Sequence, residues 1–292
     1  MAIDRLQEKI RKLKCPIVVD FTADKMHIPN HLLQQEHDFM HAYGRFCEEL
    51  LEALSGKVPA VRFSFGQFAA LGTDGLTWLC RLMNRAKTLG FYVIMDAPEA
   101  LSAFAAQNLA RLFNAPESGL YFDGILTSAY IGTDALKPYI DMVKEGDKDL
   151  FVVVRTANKS APELQDLLTG GRVAHMSVAD QLNRYGISLL GKCGYSRLAA
   201  VGAASSADSL RNLRTKYKNL FLFLDGADYP NANAKNCSIA FDSLGHGAIA
   251  CYGLSITAAW LEDETDGDRY LDAACAAMDR MKKNLLRYIT VL

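Results

Sequence analysis

Eight short runs of apolar and β-branched residues recur along this chain, each followed by a longer stretch with helical periodicity. That alternation limits the fold more than any other feature. The runs cover residues 16–22 (PIVVDFT), 60–65 (AVRFSF), 91–96 (FYVIMD), 124–128 (GILTS), 150–156 (LFVVVRT), 198–202 (LAAVG), 219–225 (NLFLFLD) and 248–252 (AIACY). Most are continuously apolar, as parallel strands buried beneath helices should be. Helical patterns are expected over 38–53, 75–89, 99–113, 134–144, 176–193, 207–216, 233–244 and 267–288, the second ending at Gly90, a suitable C-terminal cap. Eight βα units are the number that closes a barrel, so the expected class is α/β: a single (β/α)8 TIM barrel over residues 1–292 with a C-terminal helix. An open doubly wound sheet is the competing fold. No G-x-G-x-x-G follows the first run, which argues against its dinucleotide-binding form.

Composition narrows the partners. Half of the 292 residues are hydrophobic and 22% are charged, ample for a core of this size. With 32 basic and 33 acidic residues there is no charge excess to attract nucleic acid or an anionic membrane, and neither is expected as a partner. The seven cysteines are widely spaced, and none forms a C-x-x-C pair. This fits reduced thiols in a cytoplasmic protein better than a disulfide framework. The opening MAIDRLQEKIRKLK lacks an apolar signal core, and no run approaches the roughly 18 apolar residues of a membrane span.

Several residues could carry chemistry. Asp96 and Glu99 follow the third run three residues apart and could form an acid/base pair at a barrel mouth. Alternatively Pro98 and Glu99 simply open a helix. Asp225, Asp228 and His246 could hold a divalent metal, or be an Asx-rich turn and a surface histidine. His27, His31, His37 and His41 cluster near one helix; the i, i+4 pair His37/His41 could bind zinc, but no cysteine or acid with site-like spacing accompanies it, and a solvated face is the favoured reading. The acidic stretch 261–269 (LEDETDGDR) is read as a solvated turn. Strand position puts Cys251 and Tyr252 at the mouth. No base accompanies Cys251, so a buried structural thiol is the default.

Three longer segments, in this order and spacing, resemble one family: IDRLQEKIRKLKCPIVVDFTADKMHIP (3–29), DGILTSAYIGTDALKPYI (123–140) and FVVVRTANKSAPELQD (151–166). GYSRLAAVGA and GHGAIA extend the likeness over nearly the whole chain. The family is that of the orotidine 5′-phosphate decarboxylases of the longer-chain bacterial type. The resemblance implies a barrel homodimer that converts orotidine 5′-monophosphate to UMP and CO₂ in pyrimidine synthesis, with no metal or cofactor. Its site would lie at the C-terminal ends of the strands, as barrel sites do. There a lysine after the second strand and an Asp-x-Lys-x-x-Asp after the third form a charge array, and the motif's lysine protonates the developing carbanion. A serine after the fifth strand reads the pyrimidine. A glutamine after the seventh and an arginine after the eighth hold the phosphate.

This chain departs from that pattern at most site positions. Asp96 matches the first aspartate, but Pro98 stands where the catalytic lysine belongs and Leu101 where the second aspartate belongs. Arg62 replaces the lysine after the second strand. Thr22 takes the ribose-binding aspartate's place, with Asp20 two residues earlier as a substitute. Ala157 replaces the pyrimidine-reading serine between Thr156 and Asn158, and Pro230 and Leu254 stand at the two phosphate positions. Three readings follow: a degenerate barrel, non-catalytic or repurposed, binding a nucleotide-like or other anionic small molecule; an active decarboxylase with a rearranged site; or a different enzyme in which Arg62 holds an anionic group and Asp96 moves a proton.

Overall fold

The computed structural model describes residues 1–100, 102–263 and 266–292. Leu101 and part of the acidic stretch 261–269 therefore lie outside the described residues. The eight expected strands form a closed, all-parallel barrel: β1 (Ile17–Asp20), β2 (Ala60–Ser64), β3 (Tyr92–Asp96), β4 (Gly124–Ser128), β5 (Asp149–Val153), β6 (Leu198–Ala203), β7 (Leu222–Asp225) and β8 (Ala248–Tyr252). Each strand pairs with the next in sequence. Closure comes from β1 against β8, where Val18 lies opposite Cys251.

The interior is filled by side chains. Phe151 and Phe223 meet edge to face at 5.7 Å, and Tyr92 packs against Phe151 at 6.4 Å. Gly124 makes room for them: a Cβ there would lie 2.5 Å from Phe151 and 2.8 Å from the Tyr92 hydroxyl. The N-terminal helix Ala2–Leu13 closes the lower end. Ile3, Leu6 and Ile10 are fully buried, Arg5 pairs with Asp123 at 2.7 Å, and Gln7 accepts the Gly247 N–H at 3.0 Å. The N-terminal helix thus covers the lower end, and the strands' C-terminal ends form the mouth.

Local capping moved several helix ends away from their expected positions. The helix expected from residue 99 begins at Ala103, because the Ser102 hydroxyl accepts the Ala105 N–H, and Pro98 and Glu99 lie outside it. The pattern at 176–193 becomes a helix Ala174–Gly186. Its last carbonyl accepts the Ser196 hydroxyl, and Leu190 then bridges Ser196. The pattern at 233–244 shrinks to Ala234–Ser238, since the Asp242 carboxylate captures the N–H groups of Leu244 and His246. A hairpin between β5 and β6 pairs Leu168–Thr169 with Arg172–Val173 and turns on Gly170 and Gly171, both at positive φ.

Candidate active site

Alternation along the strands aims Asp20, Arg62, Asp96, Asp225 and Cys251 into the mouth, each at or near a strand's C-terminal end. Arg62 is at the centre. Its Nη2 donates to Asp20 Oδ2 and its Nη1 to Asp225 Oδ1, both at 2.9 Å, while Asp96 Oδ2 lies 3.9 Å from Nη1. Below, the guanidinium carbon sits 5.7 Å from the ring centre of the buried Phe223. Burial opposes the guanidinium's charge, but the carboxylates, Asp20 foremost, outweigh it, and its pKa is raised. Arg62 is a fixed cation, with the two donors facing its neighbours already engaged.

Burial pushes the Asp96 carboxyl up to about 6; Arg62 opposes that shift, and the charges of Asp20, Asp225 and Glu99 add to it. Asp96 Oδ1 has no hydrogen-bond partner among the described residues. Glu99 folds back over Gly66 at the start of the short helix Phe65–Ala69, and desolvation raises its carboxyl too. Glu99 thus adds to the rise of the Asp96 carboxyl without forming a hydrogen-bonded pair with it.

A cavity of about 320 Å³ opens above Arg62. Asp20, Thr22, Asp225, Asp228, Tyr229 and Cys251 line it, together with the turn Gly253–Leu254–Ser255 after β8. Thr22 donates its hydroxyl to Asp20 Oδ1 at 3.1 Å. Asp228 Oδ2 accepts the Gly253 N–H at 2.8 Å and the Ser255 hydroxyl at 3.1 Å, with the Ser255 N–H at 3.4 Å. Burial pushes the Cys251 thiol well up, in keeping with a structural rather than nucleophilic role.

The sequence-derived candidates divide accordingly. Asp20, Thr22, Arg62 and Leu254 line the cavity, and Asp96 adjoins Arg62. Pro230 does not line it: the chain turns at Gly226 so that Tyr229 faces inward, and Pro230 is exposed. Ala157 touches the same turn, its Cβ 3.0 Å from where a side chain at Gly226 would begin. Thr156 and Asn158 are outside the lining because their polar groups bond within their own loop. Gln165 accepts the Thr156 N–H at 2.8 Å and donates to its hydroxyl at 2.9 Å, and that hydroxyl also bonds Asn158. Asp166 secures this loop, bonding Arg155 at 2.8 and 3.0 Å and lying 3.1 Å from His175.

The histidine-based metal candidates separate. His246 bonds the Leu292 carbonyl at the barrel's opposite end, away from Asp225 and Asp228. His41 pairs with Asp38, and no cluster of three metal-ligating side chains occurs among the described residues. Tyr252 is buried outside the cavity, since neighbouring strand residues face opposite ways. The residues missed from sequence are Asp228 as a cavity wall, Tyr229, Gly253 and Ser255. An inward-facing Asp228 was signalled only by its spacing from Asp225.

The chain is 26% identical over 288 residues to the orotidine 5′-phosphate decarboxylase of Petrotoga mobilis, covering 98% of each protein. It is 28% identical over 253 residues to that of Rhodopirellula baltica, covering 84% of this chain and 83% of the relative. Among solved structures, Plasmodium berghei orotidine 5′-monophosphate decarboxylase superposes with a TM-score of 0.75 at 13% identity, over 97% of this chain and 98% of that one. No protein-family model matches the chain. The resemblance to orotidine 5′-phosphate decarboxylases extends over nearly the full length, and the barrel is the fold those proteins share.

Proposed function

We propose that this orotidine 5′-phosphate decarboxylase-like barrel does not decarboxylate orotidine 5′-monophosphate and has been repurposed to bind a small molecule at its mouth. The observation that carries this reading is Arg62, locked between Asp20 and Asp225 at 2.9 Å on each side. Loss of CO₂ leaves an electron pair on a ring carbon, which must be stabilised by a cation and then take a proton. Arg62 holds its proton too tightly to supply it, and Pro98 has none. An arginine is also missing where a phosphate would be held, at Leu254. Remote phosphate binding normally contributes to turnover by driving closure and orientation.

The competing reading, an active enzyme with a rearranged site, draws on Asp96. Its raised carboxyl, beside Arg62, is the available proton source. The third reading, with an anionic group held by Arg62, is disfavoured by the two carboxylates that already engage that side chain. The test is a direct assay of UMP formation beside complementation of a pyrimidine auxotroph, with Asp96→Ala as the companion variant.

We also propose a cytoplasmic homodimer joined through the mouth-side loops. Seven free thiols support the compartment. The exposed Phe104, Ile131, Leu164 and Leu168 support the interface: they follow β3, β4 and β5 in succession and offer apolar surface to a second copy.

A further inference from the structure

Every positive group facing the mouth cavity is already matched by a carboxylate of the protein itself. Arg62 is engaged by Asp20 and Asp225. Across the cavity, the Gly253 N–H, the Ser255 N–H and the Ser255 hydroxyl converge on one oxygen of Asp228. Three convergent donors are the arrangement a ligand's anionic oxygen would use, and here an internal anion takes them. Asp20 and Asp228 both approach Gly253: a Cβ built there would lie 3.7 Å from an Oδ2 of each. Three carboxylates against one guanidinium leave the lining negative. A phosphate entering it would meet like charge, and the Arg62 Nη1 and Nη2, Gly253 and Ser255 donors are already engaged; the Arg62 Nε, without a partner among the described residues, is buried.

We infer that Asp228 is the specificity-determining residue of this cavity, an internal carboxylate that occupies the donors a ligand phosphate would need and so restricts the mouth to unphosphorylated, uncharged or cationic small molecules. The inference rests on the repurposed-barrel reading above and deepens it. The two remain separable, because this one is tested by binding alone. Removing the carboxylate should expose the two N–H groups and the hydroxyl together and lower the negative charge of the wall.

The experiment titrates the full-length wild type, Asp228→Ala and Asp228→Asn with inorganic phosphate and with UMP, read by calorimetry and ³¹P line broadening near neutral pH. Circular dichroism confirms that each variant is folded. The wild type should show no saturable binding of either probe. Asp228→Ala should bind both at least about tenfold more tightly than the wild-type limit, the equivalent of one charge-assisted hydrogen bond. Adding Ser255→Ala should reduce the gain. Asp228→Asn keeps the side chain's volume and removes its charge, although its amide oxygen can still accept the same donors; it should give a smaller gain than Asp228→Ala, and it carries the charge part of the test if the alanine variant does not fold. Saturable binding of phosphate or UMP by the wild type would overturn the inference, as would folded variants that bind no better. UMP formation by the wild type would instead overturn the functional reading.

Discussion

Arg62 on β2 and Asp225 at the end of β7, 163 residues apart in sequence, are joined by a 2.9 Å hydrogen bond across the mouth of the barrel. Strands β1 and β8 lie between them in the sheet, so the bond spans the region where the barrel closes. With Asp20 on the other side of the guanidinium, it turns what could be a ligand-binding cation into a fixed part of the scaffold.

Arg62→Ala should therefore destabilise the protein by about 3–5 kcal/mol near neutral pH, because it leaves buried carboxylates without their counter-charge. Arg62→Lys should be milder, since an ammonium keeps the charge but cannot bridge Asp20 and Asp225 as a planar fork does. Urea denaturation of both variants checks this. An alanine variant as stable as wild type would mean the cluster contributes little.

Asp96 predicts a pH signature. Its carboxyl is raised to about 6, so between roughly pH 4 and 6 the folded state keeps a proton that the unfolded chain has lost. Wild-type stability should fall as pH rises through that window and stay reduced above it. Asp96→Asn lacks this titration. The stability difference should shift in the variant's favour by up to about 2–3 kcal/mol between pH 4 and pH 7. Denaturant melts across that range measure it, and a flat difference would show that Asp96 is not perturbed.

Gly124→Ala tests the packed interior beneath the site. The added methyl group would meet Phe151 and the Tyr92 hydroxyl well inside contact distance. A loss of at least about 1–3 kcal/mol is expected by calorimetry or urea melt. A neutral effect would mean that the barrel interior is looser than described.

Sedimentation at micromolar concentration should give a dimer, and Phe104→Glu should dissociate it, because Phe104 is 73% exposed on the protomer. An interface of this kind should bury roughly 2,000 Å² or more. A wild-type monomer would contradict the proposed assembly.

The strands were legible because each apolar run is short and bounded. β4 and β8, and the helix Ala207–Lys216, coincide with expectation to the residue. Helix ends were less so where one side chain decides them, as Ser102 and Asp242 do. The hairpin at 168–173 did leave a signal, the Gly170–Gly171 pair that a tight turn with two positive φ angles requires. The site was half legible. Strand position placed Arg62 and Asp96 at the mouth, and Asp20 falls opposite Arg62 in the β1–β2 register. Asp225, Asp228 and His246 were weighed as a metal set against an Asx-rich turn and a surface histidine; sequence distance does not reveal that His246 precedes β8 and so lies at the barrel's other end. Asp228's contact with the Gly253–Ser255 turn depends on loop geometry that no periodicity encodes.

The most direct test of the account is UMP formation from orotidine 5′-monophosphate by the purified protein, alongside growth of a complemented pyrimidine auxotroph. No UMP above background and no growth are predicted. Pro98→Lys alone should not restore activity, because leucines remain at positions 101 and 254. Robust UMP formation by the wild type, abolished by Asp96→Ala, would contradict the account and assign the proton donor's role to Asp96.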